Sequence, residues 1–412
     1  MNHYSVIIVG GGQAGLSLSY YLKKNAINHL ILDRGEIGNS WVQDRWDNFC
    51  LVTPNWQCRL PGYHYNGNDA DGFMVKDEMI NYIKGYANTF NPPFEGNVNV
   101  TKVYKEKLGD IFYLETSNGK YSADIVVSAI GGYHTPNIPQ NFSKGFNKSI
   151  VQINSIDYKN AQLLPEGNVL VIGTGQSGVQ IAQDLHMSGK KVFLSVGSAP
   201  RAPRRHRGKD IVYWLELMGH YNKPVGEQEN PDELRRKPNN YLTGRDGGQD
   251  VDLRKFAMEG MKLHGRISSI DNGIISFQND LKQNLDNADL AYERIQKTLD
   301  EYIDSNNIKA PKYDRYNQLW EPTENNETAL DYNEAGITSV IWCTGFKLDF
   351  KWIDFPHLFN SDDYPTHDRG VTDEQGLYFL GLPWLYTYGS GGLSFVGQDA
   401  EYISNHIIKH LY

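Results

Sequence analysis

Two stretches of this chain, SVIIVGGGQAG at its start and VLVIGTGQSG in its middle, share one spacing. The first sets glycines at Gly10, Gly12 and Gly15, and the second at Gly173, Gly175 and Gly178. Each pattern follows an apolar strand-like run and precedes an amphipathic one, which reads as strand, tight turn and helix. That device binds the diphosphate of a dinucleotide. The first glycine permits the turn, the second lets the backbone approach the pyrophosphate, and the third lets helix pack on strand. The helix N-terminus adds partial positive charge and free N–H groups. Side chains cannot carry hydride themselves, so two such sites in one chain point to electron relay between two bound cofactors.

The residues after each fingerprint separate the two. Beyond the first, the strand HLILD ends at Asp33, 23 residues past Gly10, where a carboxylate accepts hydrogen bonds from a ribose. The same distance beyond Gly173 reaches Val196, between Ser195 and Gly197, with no carboxylate. The chain continues APRAPRRHRGKD, and Ser195 with Arg201 or Arg204 suits a 2′-phosphate. The competing reading of that arginine run is a solvated basic loop. The first site therefore fits a nucleotide without a 2′-phosphate, such as FAD, and the second fits NADP(H).

Bulk properties narrow the class. The chain has 412 residues, 22% of them charged, and a formal net charge of −9, which argues against a nucleic-acid surface. No apolar run approaches the roughly 20 residues of a membrane helix. The first strand, expected at Tyr4–Val9, leaves no room for a leader, so a cytoplasmic protein is expected. Cys50, Cys58 and Cys343 form no CxxC and no metal-ligand spacing, so packing is their expected role and no metal is expected.

The elements that must hold these sites are legible in part. Residues 74–90 predict a helix with Val75, Met79, Ile80 and Ile83 on one face. The runs NVNVTKVYKEK, IFYLETSN and YSADIVVSAI predict a three-stranded meander. Within the less regular region 208–330, DIVYWLELMGH and residues 280–306 predict helices, and ISSIDNGIISFQNDL predicts a hairpin. SVIWCTGF and GLYFLGL read as buried strands. GGLSFVGQDAEYISNHIIKHL reads as a closing helix behind Gly389, Gly391 and Gly392, either with free N–H groups facing an electron-rich ligand atom or as an ordinary docking helix.

In these motifs the chain resembles the class B flavin-dependent monooxygenases over nearly its whole length. The likeness rests on GGGQAG, the GNSW segment, GTGQSG, the linker-like WCTGF and VVSAIGGYHTPNIP. It implies an α/β fold of two three-layer (ββα) Rossmann-like dinucleotide-binding domains, with the NADP domain inserted into the FAD domain. The implied boundaries are 1–158 and 331–412 for FAD and 159–330 for NADP, with a helical insertion around 208–306. It implies that Gly10, Gly12, Gly15 and Asp33 bind the FAD diphosphate and ribose, and that Ser40 and Trp41 contact the cofactor. Gly173, Gly175, Ser177 and Gly178 would hold the NADP diphosphate, with Ser195 and Arg201 or Arg204 on the 2′-phosphate. Thr344 and Gly345 would lie near the cofactors. Arg34, Val103, Gln176 and Ser394 complete the expected contacts.

The departures bear on chemistry. In the segment FNKSIVQINSIDY, Lys148 stands where the family has glycine and Gln152 where it has histidine. N-oxygenating members carry an asparagine near the reactive flavin carbon, and Val52 aligns there. Thr53, Asn55 and Gln57 are the neighbouring polar substitutes and the candidate catalytic residues. The aromatic segments GYHYNG and LPWLYTYG offer Tyr63, Tyr65, Trp384 and Tyr388 as pocket candidates, with core packing the competing reading; His134 and His206 are expected as polar lining. The implied activity is NADPH-dependent oxygenation of a small organic substrate at N, S or C, by O2 through a peroxyflavin. The alternatives are an FAD-dependent NADPH dehydrogenase or reductase, and a nucleotide-binding flavoprotein without catalysis. No nucleic-acid or membrane partner is expected, and the sequence is silent on oligomeric state.

Overall fold

The computed structural model describes residues 2–106, 109–313, 315–323 and 327–412. Strand β1 (Asn2–Val9) buries Val6, Ile7 and Ile8 completely, as befits a parallel strand covered on both faces. Helix α1 (Gln13–Lys24) turns Leu16, Leu18 and Leu22 inward, and β2 (His29–Leu32) then runs parallel to β1. Helix α2 (Lys76–Phe90) packs through Met79, Tyr82, Ile83 and Tyr86. It starts two residues later than the periodicity suggests: Val75 is the exposed N-cap, its N–H taken by the Glu78 carboxylate at 3.1 Å. Strand β3 (Phe94–Glu95) follows, then the expected meander of β4 (Val100–Lys105), β5 (Phe112–Thr116) and β6 (Gly119–Ser128). Strand β6 belongs to both halves of this sheet, antiparallel to β5 and parallel to β1, with Ser128 opposite Val9.

The second unit opens with β7 (Val151–Asn154), β8 (Asn168–Ile172), α3 (Gln176–Met187) and β9 (Val192–Ser195). Helix α4 (Ile211–Leu217) precedes β10 (Lys262–His264), the hairpin β11 (Ile267–Asp271) and β12 (Ile274–Phe277), and α5 (Leu281–Ser305). Then come β13 (Ala329–Asp331) and β14 (Ile337–Trp342). Five parallel strands stand in the order β7-β14-β8-β9-β10, while β13 joins the hairpin in a separate small sheet. The chain returns to the first unit for β15 (Leu377–Phe379), parallel to β6, and α6 (Val396–Leu411), which packs on α1.

This architecture corrects the expected domain boundaries. Strands β7 and β14 are expected in the first unit, yet both belong to the second sheet, where β14 separates β7 from β8. Without β14 the apolar edge of β8 would have no ladder partner, so SVIWC completes the second unit before the chain crosses back. The region 208–306 is likewise not a purely helical insertion, since it supplies β10 and a hairpin. The two crossover segments pair as a short antiparallel ribbon, Phe346 opposite Pro136 and Lys347 opposite Thr135. Among the described residues no helix is long and apolar enough to cross a membrane.

Both glycine turns are built alike. Gly10 and Gly173 have φ of +115° and +103°, and a Cβ on either would strike a neighbouring carbonyl, Ala129 O at 2.6 Å or Cys343 O at 2.5 Å. A Cβ on Gly15 would lie 1.9 Å from Gly10 O, and one on Gly178 would lie 2.0 Å from Gly173 O. By contrast, a Cβ on Gly12 or Gly175 would meet nothing within 4 Å. Two of the three glycines in each fingerprint thus serve the fold, and the middle one faces open space. Gly15→Ala and Gly178→Ala are expected to lower the unfolding midpoint by at least about 3 °C, an overpacking cost of roughly 1–3 kcal/mol. Gly12→Ala and Gly175→Ala should leave the midpoint of the ligand-free protein unchanged. Scanning calorimetry of the four variants checks the contrast.

Candidate functional site

At the first turn, Gly10 N–H donates to Leu32 O at 2.8 Å, which ties the loop to the end of β2. The Asp33 carboxylate accepts from Gly11 N at 2.6 Å and from Gly35 N at 2.9 Å, so it is held rigidly at the loop rim. Helix α1 has Gly12 as its N-cap and no side-chain cap. Its first-turn N–H groups are therefore left for a ligand. Ser40 and Trp41 stand on the opposite rim, with Trp41 Nε1 donating to Gln13 Oε1 at 3.3 Å and the Arg45 guanidinium 5.1 Å above the indole. Arg34 lines the same space beside Asp44. Val103 does not. It is fully buried in β4, and its N–H and C=O bond Trp352 O and Asp354 N. Val98, Asn99 and Val100, at the start of the meander, line the cavity instead.

The second cradle repeats the first. Gly175 caps α3 without a side-chain bond, and Ser177 lines the space before it. Gln176 clamps the loop to Leu242, accepting from its N–H at 3.2 Å and donating to its carbonyl. Ser195 Oγ donates to Gly265 O at 3.0 Å, and Gly197 N–H donates to Thr174 Oγ1 at 3.0 Å. The two arginines expected on a 2′-phosphate are elsewhere. Arg201 is buried between the rings of Tyr292 and Tyr316, 4.2 and 4.1 Å from their centroids, and paired with Asp252 and Asp289. Arg204 is buried on Phe73, makes two hydrogen bonds to the Asp210 carboxylate, and donates to Val52 O at 2.9 Å. A buried guanidinium must find carboxylates, and these have. Both hold the insertion against the core, and neither is free for a phosphate.

Between the cradles lies one continuous cavity of about 1730 Å³. That exceeds the roughly 300–1000 Å³ of a pocket for one small ligand. Thr53 and Gln57 line it, whereas Asn55 does not. Asn55 is buried under the neighbouring loop, its Nδ2 donating to Asp69 O at 2.9 Å, so a catalytic role for it is corrected to a structural one. Gln57 Nε2 donates to Glu216 at 2.8 Å, Glu216 also pairs with Arg59, and Ser394 Oγ donates to Gln57 O. Thr344 bonds Asn137 O, and Gly345, at φ +85°, accepts from Asn137 N at 2.9 Å. The linker residues Thr344 and Gly345 thus line the cavity wall.

Of the aromatic candidates, Trp384 and Tyr388 line the chamber, with centroids 5.0 Å apart. Tyr63 instead packs on Tyr82 and Tyr86 in the core, and Tyr65 is likewise not in the cavity wall. His134 lines the cavity, while His206 is buried against Asp300. Two wall residues, His220 and Tyr221, gave no sequence signal. The His220 ring meets Tyr388 at 4.5 Å and Tyr221 stacks on Phe395 at 5.0 Å. They are brought there by backbone bonds between the second unit and the loop before α6: Gly389 N to Tyr221 O at 2.9 Å, Tyr388 N to Lys223 O at 3.2 Å, and Val225 N to Tyr386 O at 2.7 Å. Burial lowers the pKa of His134 and, further, that of His220 to about 4.

One cavity thus joins the two glycine cradles, and Trp41, Tyr221, Trp384, Tyr388 and Phe395 are among its lining side chains. The family model described as pyridine nucleotide-disulphide oxidoreductase matches residues 7–290. An uncharacterized oxidoreductase, CzcO-like, of Geobacillus kaustophilus strain HTA426 is 33% identical over 98% of this chain and 98% of its own length. The probable indole-3-pyruvate monooxygenase YUCCA10 of Arabidopsis thaliana is 27% identical over 68% of this chain and 79% of its own. Among solved structures, a flavin-containing monooxygenase from Stenotrophomonas maltophilia aligns over 100% of both chains, with a TM-score of 0.67 and 17% identity, a likeness of fold. The chain belongs to the pyridine nucleotide-disulphide oxidoreductase family and is an oxidoreductase.

Proposed function

We propose that this protein is an NADPH-dependent flavin monooxygenase, with FAD in the first cradle and NADP(H) in the second. One observation carries the reading: both uncapped helix N-termini open into the same cavity, which aromatic side chains including Trp384, Tyr388 and Phe395 help to line. The overall reaction is substrate + O2 + NADPH + H+ giving oxygenated substrate + NADP+ + H2O. The open space before Gly12 and Gly175 fits a diphosphate at each turn. When bound, FAD supplies hydride acceptance and reactivity toward O2, which no side chain here provides.

The chain's own residues do the rest. The first-turn N–H groups of α1 and α3 hold the diphosphates, and Asp33 orients a ribose without 2′-phosphate. Gln57, its carboxamide fixed by Glu216, and Thr53 present hydrogen-bonding groups to the chamber. The half-buried imidazoles of His134 and His220, their pKa values lowered, line the cavity as neutral groups at pH 7. Trp384, Tyr388, Tyr221 and Phe395 exclude water from the reacting centre, and their flat apolar surfaces suit an aromatic or apolar substrate. A disulfide reductase would need a redox cysteine pair, whereas Cys50, Cys58 and Cys343 are free and buried, their thiols pushed up to about 12 by burial; a reductase with another acceptor, such as a quinone, needs none.

The test is product analysis under 18O2 with the purified yellow protein, NADPH, and a panel of amines, sulfides and aromatic keto acids. One 18O atom in a product, with peroxide well below the NADPH consumed, is the expected result. Peroxide equal to NADPH with every substrate, together with reduction of quinones, would move the assignment to a reductase. Gln57→Leu should cut oxygenated product per NADPH by about 10-fold or more while NADPH oxidation persists, because a positioned hydrogen-bonding group is lost. The ratio of product to peroxide reads this directly.

The depressed histidines set an acid limit on stability. His220 and His367 have folded pKa values lowered to about 4 by burial, against about 6.5 unfolded. Folding is favoured fully while both are neutral, above about pH 6.5, and that contribution is lost as pH falls toward 4, since the unfolded state takes up the protons first. The unfolding midpoint is expected to drop steadily from pH 6.5 to pH 4, and less steeply in His220→Phe. A midpoint unchanged over that range would contradict it.

A further inference from the structure

The geometry points to Arg266 as the residue that selects a 2′-phosphorylated nucleotide at the second cradle, positioned by Asp280; this rests on the NADP(H) reading above. With Arg201 and Arg204 buried among carboxylates, the cation for that phosphate must come from another part of the chain. Strands β9 and β10 run parallel with Ser195 opposite His264. Continued by two residues, that register brings Arg266 level with Gly197, beyond the strand where a nucleotide's ribose is read. Arg266 lines the cavity there together with Ser195, Gly197 and Ser198.

The turn carrying Arg266 is fastened at several points. Ser195 Oγ donates to Gly265 O, and Val196 N–H donates to His264 O at 2.8 Å. Gly197 is in turn tied to Thr174 within the glycine turn, so the turn bearing Arg266 and the diphosphate cradle form one rigid piece. A side chain at Gly265 would collide with Gln278 O and the Asp280 carboxylate, at 2.1 and 2.4 Å, so that position admits only glycine.

Asp280 holds the guanidinium from one side. Its Oδ1 accepts from Arg266 N at 2.9 Å and its Oδ2 from Arg266 Nε at 2.6 Å. Neither Nη group has a partner among the described residues. A guanidinium bonded through Nε presents its two outer nitrogens as a fork, the geometry that binds a phosphate through two parallel bonds. Asp280 is also the residue before α5, yet its side chain makes no cap bond to that helix. Aspartate is a favoured cap, so the side chain forgoes one stabilising role and serves Arg266.

The experiment compares 2′,5′-ADP with 5′-AMP by calorimetry on the FAD-loaded protein. The wild type should prefer 2′,5′-ADP, and Arg266→Gln should weaken that ligand about 10- to 100-fold, the worth of charge-assisted bonds to a phosphate, while 5′-AMP is unaffected. Arg266→Lys keeps the charge without the fork and should recover part of the loss. Asp280→Asn should lose less than Arg266→Gln. In turnover, Arg266→Gln should raise the KM for NADPH and leave that for NADH alone. If the wild type binds both ligands equally, the NADP(H) reading and this assignment fall together. If it prefers 2′,5′-ADP and Arg266→Gln and Arg266→Lys keep the full preference, Arg266 alone is refuted and the reading stands.

Discussion

The closeness of helix to strand at each glycine turn governs much of this molecule. Gly15 and Gly178 allow α1 and α3 to sit against the carbonyls of Gly10 and Gly173, at distances a methyl group would occupy. That approach aims each helix axis at the end of its sheet. It also leaves the first-turn N–H groups uncapped and directed at open space rather than at the protein. Gly10 and Gly173 touch the ends of β6 and β14 in the same manner, at Ala129 and Cys343. These contacts couple each cradle to the strand that leads out toward a linker.

A second layer of organisation comes from buried charge. Arg201, Arg204 and Arg254 are all nearly inaccessible and all paired with aspartates, Arg254 with Asp286 and Asp289. Such pairs gain little over apolar packing, but removing one partner strands the other, so they specify position more than they add stability. They pin α5 and the loops around it to the second unit. That placement carries α4 and the segment from His220 to Val225 to the chamber wall.

The sequence made the repeated turn, the meander, the three long helices and the 2′-phosphate-compatible gap at Val196 legible, because each depends on local periodicity or fixed spacing. What escaped depends on distant partners. APRAPRRHRGKD looks like an open basic loop until Asp252 and Asp289, far along the chain, close on Arg201. Asn55 and Gln57 are two residues apart, but a 3-10 turn sends one under a loop and the other into the cavity. His220 closes a run read only as a helix and Tyr221 follows it, and both reach the site through pairing with residues 386–389. Strand β14 is recognisable as a strand, but its sheet is fixed by topology, which the local pattern does not encode.

The three backbone bonds between residues 221–225 and 386–389 act as a latch. The ribbon of crossover segments is a covalent pivot that any relative rotation of the two units must respect, whereas the latch is a second attachment that rotation must break. At about 1 kcal/mol net for each bond, unlatching costs a few kcal/mol before any packing is lost. Because Tyr221 and Tyr388 sit at the latch itself, a molecule that fills the chamber presses on the same residues that hold it shut. The wall of the chamber and the attachment between the two units are thus made of the same residues.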